Sequence, residues 1–110
     1  MVTKQHSEQW LETAIAQIKR LQVEAAECGE DYVAPTEAAV NSAAKLMREL
    51  RKAEKPGITV TQDGEVILTW EHEGDHFKAI VRCTGDVVSY QNKKSVAHDV
   101  FAHRLLAVPA

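Results

Sequence analysis

Aromatic residues are scarce in this chain of 110 residues: two Trp, two Tyr and two Phe, 5% of the total. A core so poor in rings has to be built from aliphatic side chains and alanine, and each ring present carries a large share of the packing. Cysteine is limited to Cys28 and Cys83, far apart and outside any Cys-x-x-Cys pattern. That spacing excludes a disulfide framework and a zinc ribbon. Both are expected to be reduced thiols, buried as small hydrophobes at a helix end and in a strand. No apolar run approaches the ~20 residues of a membrane span, and the first ten residues contain no apolar signal core. A cytoplasmic setting without membrane attachment is expected. Positive charge is not in excess either, with 13 Lys and Arg against 16 Asp and Glu and a net charge of −3. A dedicated nucleic-acid binder is normally basic overall. Also missing are a Gly-rich phosphate loop, a Gly-x-Ser-x-Gly elbow and a His-Glu-x-x-His pair. The expectation is a chain without a catalytic constellation, a cofactor or a metal.

What is present is an ordinary globular balance, 45% hydrophobic and 26% charged, on a length that suits one domain over residues 1–110. The organising stretch runs from Pro56 to Trp70, where two β-branched runs flank Asp63-Gly64, a strong hairpin signal. A three-residue loop, Gln62-Asp63-Gly64 with Gly64 left-handed, sets Val60 opposite Val66 and Ile58 opposite Leu68. It gathers Ile58, Val60, Val66, Leu68 and Trp70 on one face, whereas a two-residue Asp-Gly loop would split that set.

The alternation continues through Phe77, Ala79, Val81 and Cys83, after a loop at 72–75 or a tighter turn at Gly74-Asp75. A second tight turn at Gly85-Asp86 is expected to return the chain so that Val88 and Tyr90 extend the core face. The result is a four-stranded antiparallel meander over about 58–92.

Ahead of it lie two helical patterns. Leu11, Ala14, Ile15, Ile18, Leu21 and Ala25 recur at helical spacing over 7–28, with Ser7 as the start cap and Gly29 as the left-handed stop. Thr36 caps a second helix, over 36–54, whose stripe is Ala39, Val40, Ala43, Ala44, Leu46, Met47 and Leu50. Small residues permit close approach, so the two form an antiparallel hairpin. A third helix is expected over 95–106, capped by Ser95 and buried through Val96, Val100, Phe101 and Leu105, either packed on its own sheet or swapped onto a partner. The fold class expected is α+β, order ααββββα, with the helices on one face of the sheet.

The proline, short β run, Asp-Gly and alternating strand ending in Trp, all within Pro56–Trp70, resemble small, mostly uncharacterised bacterial and phage-type proteins in which a helical first half precedes such a sheet. The resemblance implies a bacterial or phage accessory protein and brings no catalytic residues with it.

Three sets of residues are candidates for function. By parity, Ile67 and Ile80 lie on the outer face of the sheet among Thr69, Lys78 and Arg82, with Val87 alongside, which describes a small apolar patch rimmed by charge. This points to a non-enzymatic protein-interaction module, such as an inhibitor, an antitoxin-like protein or an anti-defence factor, with a protein partner and with a homodimer as one form such pairing takes. The last two turns of the second helix carry Lys45, Arg48, Arg51, Lys52 and Lys55, matched to the helix dipole or, with Lys93-Lys94, to a nucleic-acid partner. The histidines make a third set: His72 and His76 share a turn with Glu73 and Asp75, and Asp99 and His103 lie one helical turn apart beside His98. A minor enzyme or a metal binder would be built there.

Overall fold

Beyond Pro56 the alternation becomes a five-stranded antiparallel sheet in the order β1-β2-β3-β4-β5. The computed structural model describes residues 2–29 and 32–106. Its elements are α1 (Val2–Glu27), α2 (Glu37–Glu49), β1 (Gly57–Val60), β2 (Val66–His72), β3 (Asp75–Val81), β4 (Val87–Gln91), β5 (Lys94–Val96) and α3 (His98–Leu105). The class is α+β, and no helix among the described residues is long and apolar enough to cross a membrane.

The first hairpin has the register that a three-residue loop demands, Val60 opposite Val66 and Ile58 opposite Leu68. Thr61 N–H donates to Glu65 O (2.9 Å) and Gly64 N–H to Thr61 O (3.2 Å), with Gly64 at φ 84°. The next turn is Glu73-Gly74, at φ 51° and 86°, so His72 pairs with Asp75. This is the register of the 72–75 loop, with Glu71 opposite His76, and not of the tighter Gly74-Asp75 turn; parity is the same for both, and Trp70 pairs with Phe77.

The third turn overturns an expectation. Arg82 N–H donates to Asp86 O and Gly85 N–H to Arg82 O, both at 2.8 Å, which makes Cys83-Thr84-Gly85 a three-residue loop like the first. Val87 therefore lies opposite Val81. One loop residue more than a two-residue Gly85-Asp86 turn reverses every side chain that follows. Val87 and Ser89 face the core, while Val88 and Tyr90 face outward, the opposite of the sequence reading for Val87, Val88 and Tyr90.

Cys83 is lifted out of the strand into that loop and is exposed, as is Cys28 beyond the end of α1. Neither thiol is the buried hydrophobe that was expected. The sheet also has a fifth strand. Asn92-Lys93 turns the chain with both residues at positive φ, 52° and 71°, and Ser95 pairs with Tyr90 in β5 instead of capping a helix. Helix α3 begins after Ala97, which makes no side-chain cap.

The helices pack against the face that bears Val66, Leu68, Trp70, Phe77, Ala79 and Val81, all buried. Trp10 of α1 donates its indole N–H to Ala53 O (3.1 Å), and Gln22, farther along α1, donates to Pro35 O (2.7 Å). The start of α1 is thus tied near the end of α2 and its later half near the start of α2, an antiparallel hairpin. Because α1 begins at Val2, Ser7 lies inside the helix and does not cap it. Thr36 does cap α2, accepting from Ala39 N–H at 3.0 Å. Helix α2 ends at Glu49, a turn short of the expected limit.

Its face of Ala39, Val40, Ala43, Leu46 and Met47 enters the core beside Ile18 of α1. Alanines on that face let the helix come close to the sheet. Phe101 of α3 completes the core, its ring edge-on to Trp70 (centroids 5.8 Å apart) and to Phe77 (5.6 Å). Helix α3 is therefore docked on its own sheet.

Ser89 is the one polar residue in the core among those described, 4% exposed, and its hydroxyl has no hydrogen-bond partner. An unpaired buried hydroxyl loses its hydration without replacement. Ser89→Ala is accordingly expected to raise the unfolding free energy by about 1 kcal/mol, read as a higher urea midpoint at unchanged slope. A lower midpoint would show that the hydroxyl has a partner.

Candidate docking face

All three helices lie on one side, so among the described elements none covers the other side of the sheet. Thr59, Ile67, Ile80 and Val88 form one row across β1 to β4, because Thr59 pairs with Ile67, Ile67 with Ile80 and Ile80 with Val88. Ile67, Ile80 and Val88 are each half-buried. In the next row stand Gly57, Thr69, Lys78, Tyr90 and Ser95. There Lys78 Nζ lies over the Tyr90 ring, 5.6 Å from its centroid, an arrangement that orders both side chains by cation–π attraction.

The structure thus places Ile67, Ile80, Thr69 and Lys78 on one continuous surface, with Arg82 continuing the alternation at the end of β3. Val87 is absent from it, and Val88 and Tyr90 belong to it. A signal for these two was present in the sequence: Cys83-Thr84-Gly85 repeats the glycine-third pattern of Gln62-Asp63-Gly64.

Charge on this face is divided by strand. The outward positions of β2 and its approach are Glu65, Ile67, Thr69 and Glu71, and those of β3 and its exit are His76, Lys78, Ile80 and Arg82. Every ionisable outward group on the first is acidic, and every one on the second is basic. Glu71 and His76 are cross-strand partners and their side chains are in direct contact. Glu65 and Arg82 are also neighbours across the two strands, yet no ion pair joins them among the described residues. Beside the face, between the 54–57 segment and Thr69, Glu71 and His76, lies a recess of about 310 Å³. It is open because Gly57 has no side chain; a Cβ there would come within 2.8 Å of Thr69 Oγ1.

The other candidate sets are dispersed. Lys45, Arg48, Arg51, Lys52 and Lys55 are all exposed, but only Lys45 and Arg48 are on α2; the other three follow its end. Arg51 folds back to donate to Arg48 O (3.0 Å), satisfying a carbonyl at the helix end. Lys45 shares a recess with Glu49 and His98, while Lys55 lines the recess beside Gly57. Acidic residues interrupt the set, and it does not converge on one surface.

Nor do the histidines converge. His72 has the parity of Trp70 and lies near Phe77, ring centroids 6.5 Å apart, whereas His76 is on the outer face. The sheet separates them. His98 Nε2 lies 3.6 Å from Glu49 Oε1, linking α3 to α2, and no contact joins Asp99 to His103 among the described residues. Within those residues there is no group of three His, Cys, Asp or Glu side chains placed to hold a metal. Comparison of the chain with known protein families, with functionally described proteins and with solved structures gives no match.

Proposed function

We propose that this chain is a non-enzymatic protein-interaction module whose working surface is the outer face of the sheet. The observation that carries the reading is the unbroken apolar row Ile67–Ile80–Val88 across the three central strands, flanked by Tyr90, Lys78 and a charged rim. Docking surfaces have this composition, an apolar centre with aromatic and basic side chains around it and a polar border. The resemblance of Pro56–Trp70 to small bacterial and phage-type proteins suggests a role as an inhibitor or anti-defence factor acting through such a surface.

Ile67→Glu and Ile80→Glu test it. Each places a charge where binding would exclude water, while in the free protein the glutamate remains solvated. Each variant is expected to lose binding to the partner recovered with the wild-type protein, at a cost in stability of about 1 kcal/mol or less. Arg48→Glu combined with Arg51→Glu serves as the contrast and is expected to leave binding intact. If the arginine reversals abolish binding and the isoleucine changes do not, the working surface is the basic end of α2 and an acidic or nucleic-acid partner replaces the docking face.

A further inference from the structure

Division of charge by strand says what kind of surface the face can meet. A partner sheet laid against it has to place basic groups over β2 and acidic groups over β3, with apolar groups over the row between. The protein itself is such a surface. We infer that the face pairs with the same face of a second copy, about a two-fold axis running along the strands between β2 and β3. This rests on the docking reading above and names its occupant.

The operation is simple to follow on the register. A two-fold axis parallel to the strands keeps each residue's height along the sheet and exchanges the strands on either side, so β2 lies over the β3 of the second copy and β1 over its β4. Ile67 then meets Ile80 twice, at the centre of the contact. At one end Glu65 meets the Arg82 of the second copy, giving each of these two side chains an ion-pair partner that neither has among the described residues of its own chain. At the other end Glu71 meets the second copy's His76.

In the outer strands, Tyr90 descends on Gly57 of the second copy, where the recess of about 310 Å³ has room for a phenol ring. Self-complementarity of this kind, in which residue i meets j and j meets i, is what a two-fold contact requires. A reversed arrangement, with the axis across the strands, would set Glu65 against Glu71, acid on acid, and leave Arg82 opposite His76 without an acidic partner.

Face-to-face sheets pack about 10 Å apart with strands within ~30° of parallel, an angle that displaces the strand ends by up to about 5 Å, a distance the long Glu65 and Arg82 side chains can span. Four overlapping strands about 4.8 Å apart, the central two about 24 Å long and the outer two about 14 Å, give a contact of roughly 700 Å² over both copies. This is below the ~1,200 Å² at which stable complexes begin and in the range of weak, transient ones. The dimer is therefore expected to form and dissociate with concentration.

Light scattering coupled to size exclusion, run on the full chain from roughly 1 µM to 1 mM, reads the assembly directly. The wild-type protein is expected to move from monomer to dimer mass within that range. Arg82→Glu and Glu65→Arg, each alone, set like charges together twice per dimer and are expected to weaken association by at least about tenfold. An equimolar mixture of the two variants restores opposite charge at both contacts and is expected to return to dimer mass near the wild-type concentration. Only pairing between chains is rescued by mixing, so a fold defect in either variant cannot imitate the result.

A wild-type chain that is monomeric up to 1 mM, or a mixture that stays monomeric, overturns the second-copy inference. If Ile80→Glu still loses a heterologous partner in that case, the docking face stands with a different occupant. If the wild type is dimeric and Ile80→Glu is equally so, the contact lies elsewhere and the second-copy inference falls, while the working surface is decided by partner binding of the same variant.

Discussion

Trp70→Ala is expected to lower the unfolding free energy by about 3 to 5 kcal/mol, a large part of the ~5–15 kcal/mol that separates folded from unfolded domains. Trp70 is only 4% exposed and lies where β2, β3 and α3 meet, edge-on to Phe101. In a chain with so few rings, the cavity left by an indole has little nearby that can collapse into it. The indole N–H also donates to Glu54 O at 3.0 Å, anchoring the segment that leads into β1.

Trp70→Phe separates the two contributions, because it keeps an aromatic edge for Phe101 but removes the donor. It is expected to cost about 1 to 2 kcal/mol. Urea denaturation followed by far-ultraviolet circular dichroism measures both. A cost for Trp70→Ala below about 1 kcal/mol would mean that the ring does not support the junction of α3 with the sheet.

Much of this junction could be read from the chain alone. Alternation fixed the inward set of β1 to β3, and the Gln62-Asp63-Gly64 loop followed from asking which turn length keeps five apolar side chains together. Helical spacing found the buried stripe of α2 residue by residue, and Thr36 was recognisable as its cap. The reading failed where turn length was not constrained by a strong pattern on both sides. Val87-Val88 offers an apolar residue to either face, so hydrophobicity does not choose the parity after Gly85, and a two-residue turn there is as consistent with the pattern as the three-residue loop.

Strand β5 escaped for a different reason. Its turn, Asn92-Lys93, contains no glycine, and Ser95-Val96 resembles the start of a helix as much as the end of a strand. Asn92 was the available sign, since asparagine tolerates the left-handed conformation. In the structure its side chain also accepts from His76 N–H and donates to Asp75, both at 2.9 Å, holding the β4–β5 turn against β3. Within the candidate face, Ile67 and Ile80 were legible because β2 and β3 were, whereas Val88 and Tyr90 were lost with the turn that precedes them.

Gly64 and Gly74 provide the second large effect, because they share a backbone conformation and differ in surroundings. Both occupy the left-handed region, at φ 84° and 86°. Around Gly74 there is open space, but a Cβ on Gly64 would lie 3.1 Å from Ala34 O, 3.2 Å from Val33 Cγ1 and 3.3 Å from Val33 O. Two of those atoms are backbone, and the Val33 N–H donates to Gln62 O at 2.9 Å, so the connection ahead of α2 is tied to this hairpin loop and cannot easily withdraw.

Gly74→Ala therefore reports conformational strain alone, about 1 kcal/mol. Gly64→Ala adds the crowding and is expected to cost about 2 kcal/mol, and Gly64→Val, with a branched side chain in the same place, about 3 kcal/mol or more. The order of the three urea midpoints is the measurement. Equal costs for alanine at the two positions would show that the segment before α2 does not press on the loop. An unchanged midpoint for Gly64→Val would remove the left-handed glycine on which the register of β1 against β2, and with it the inward and outward faces of the sheet, depends.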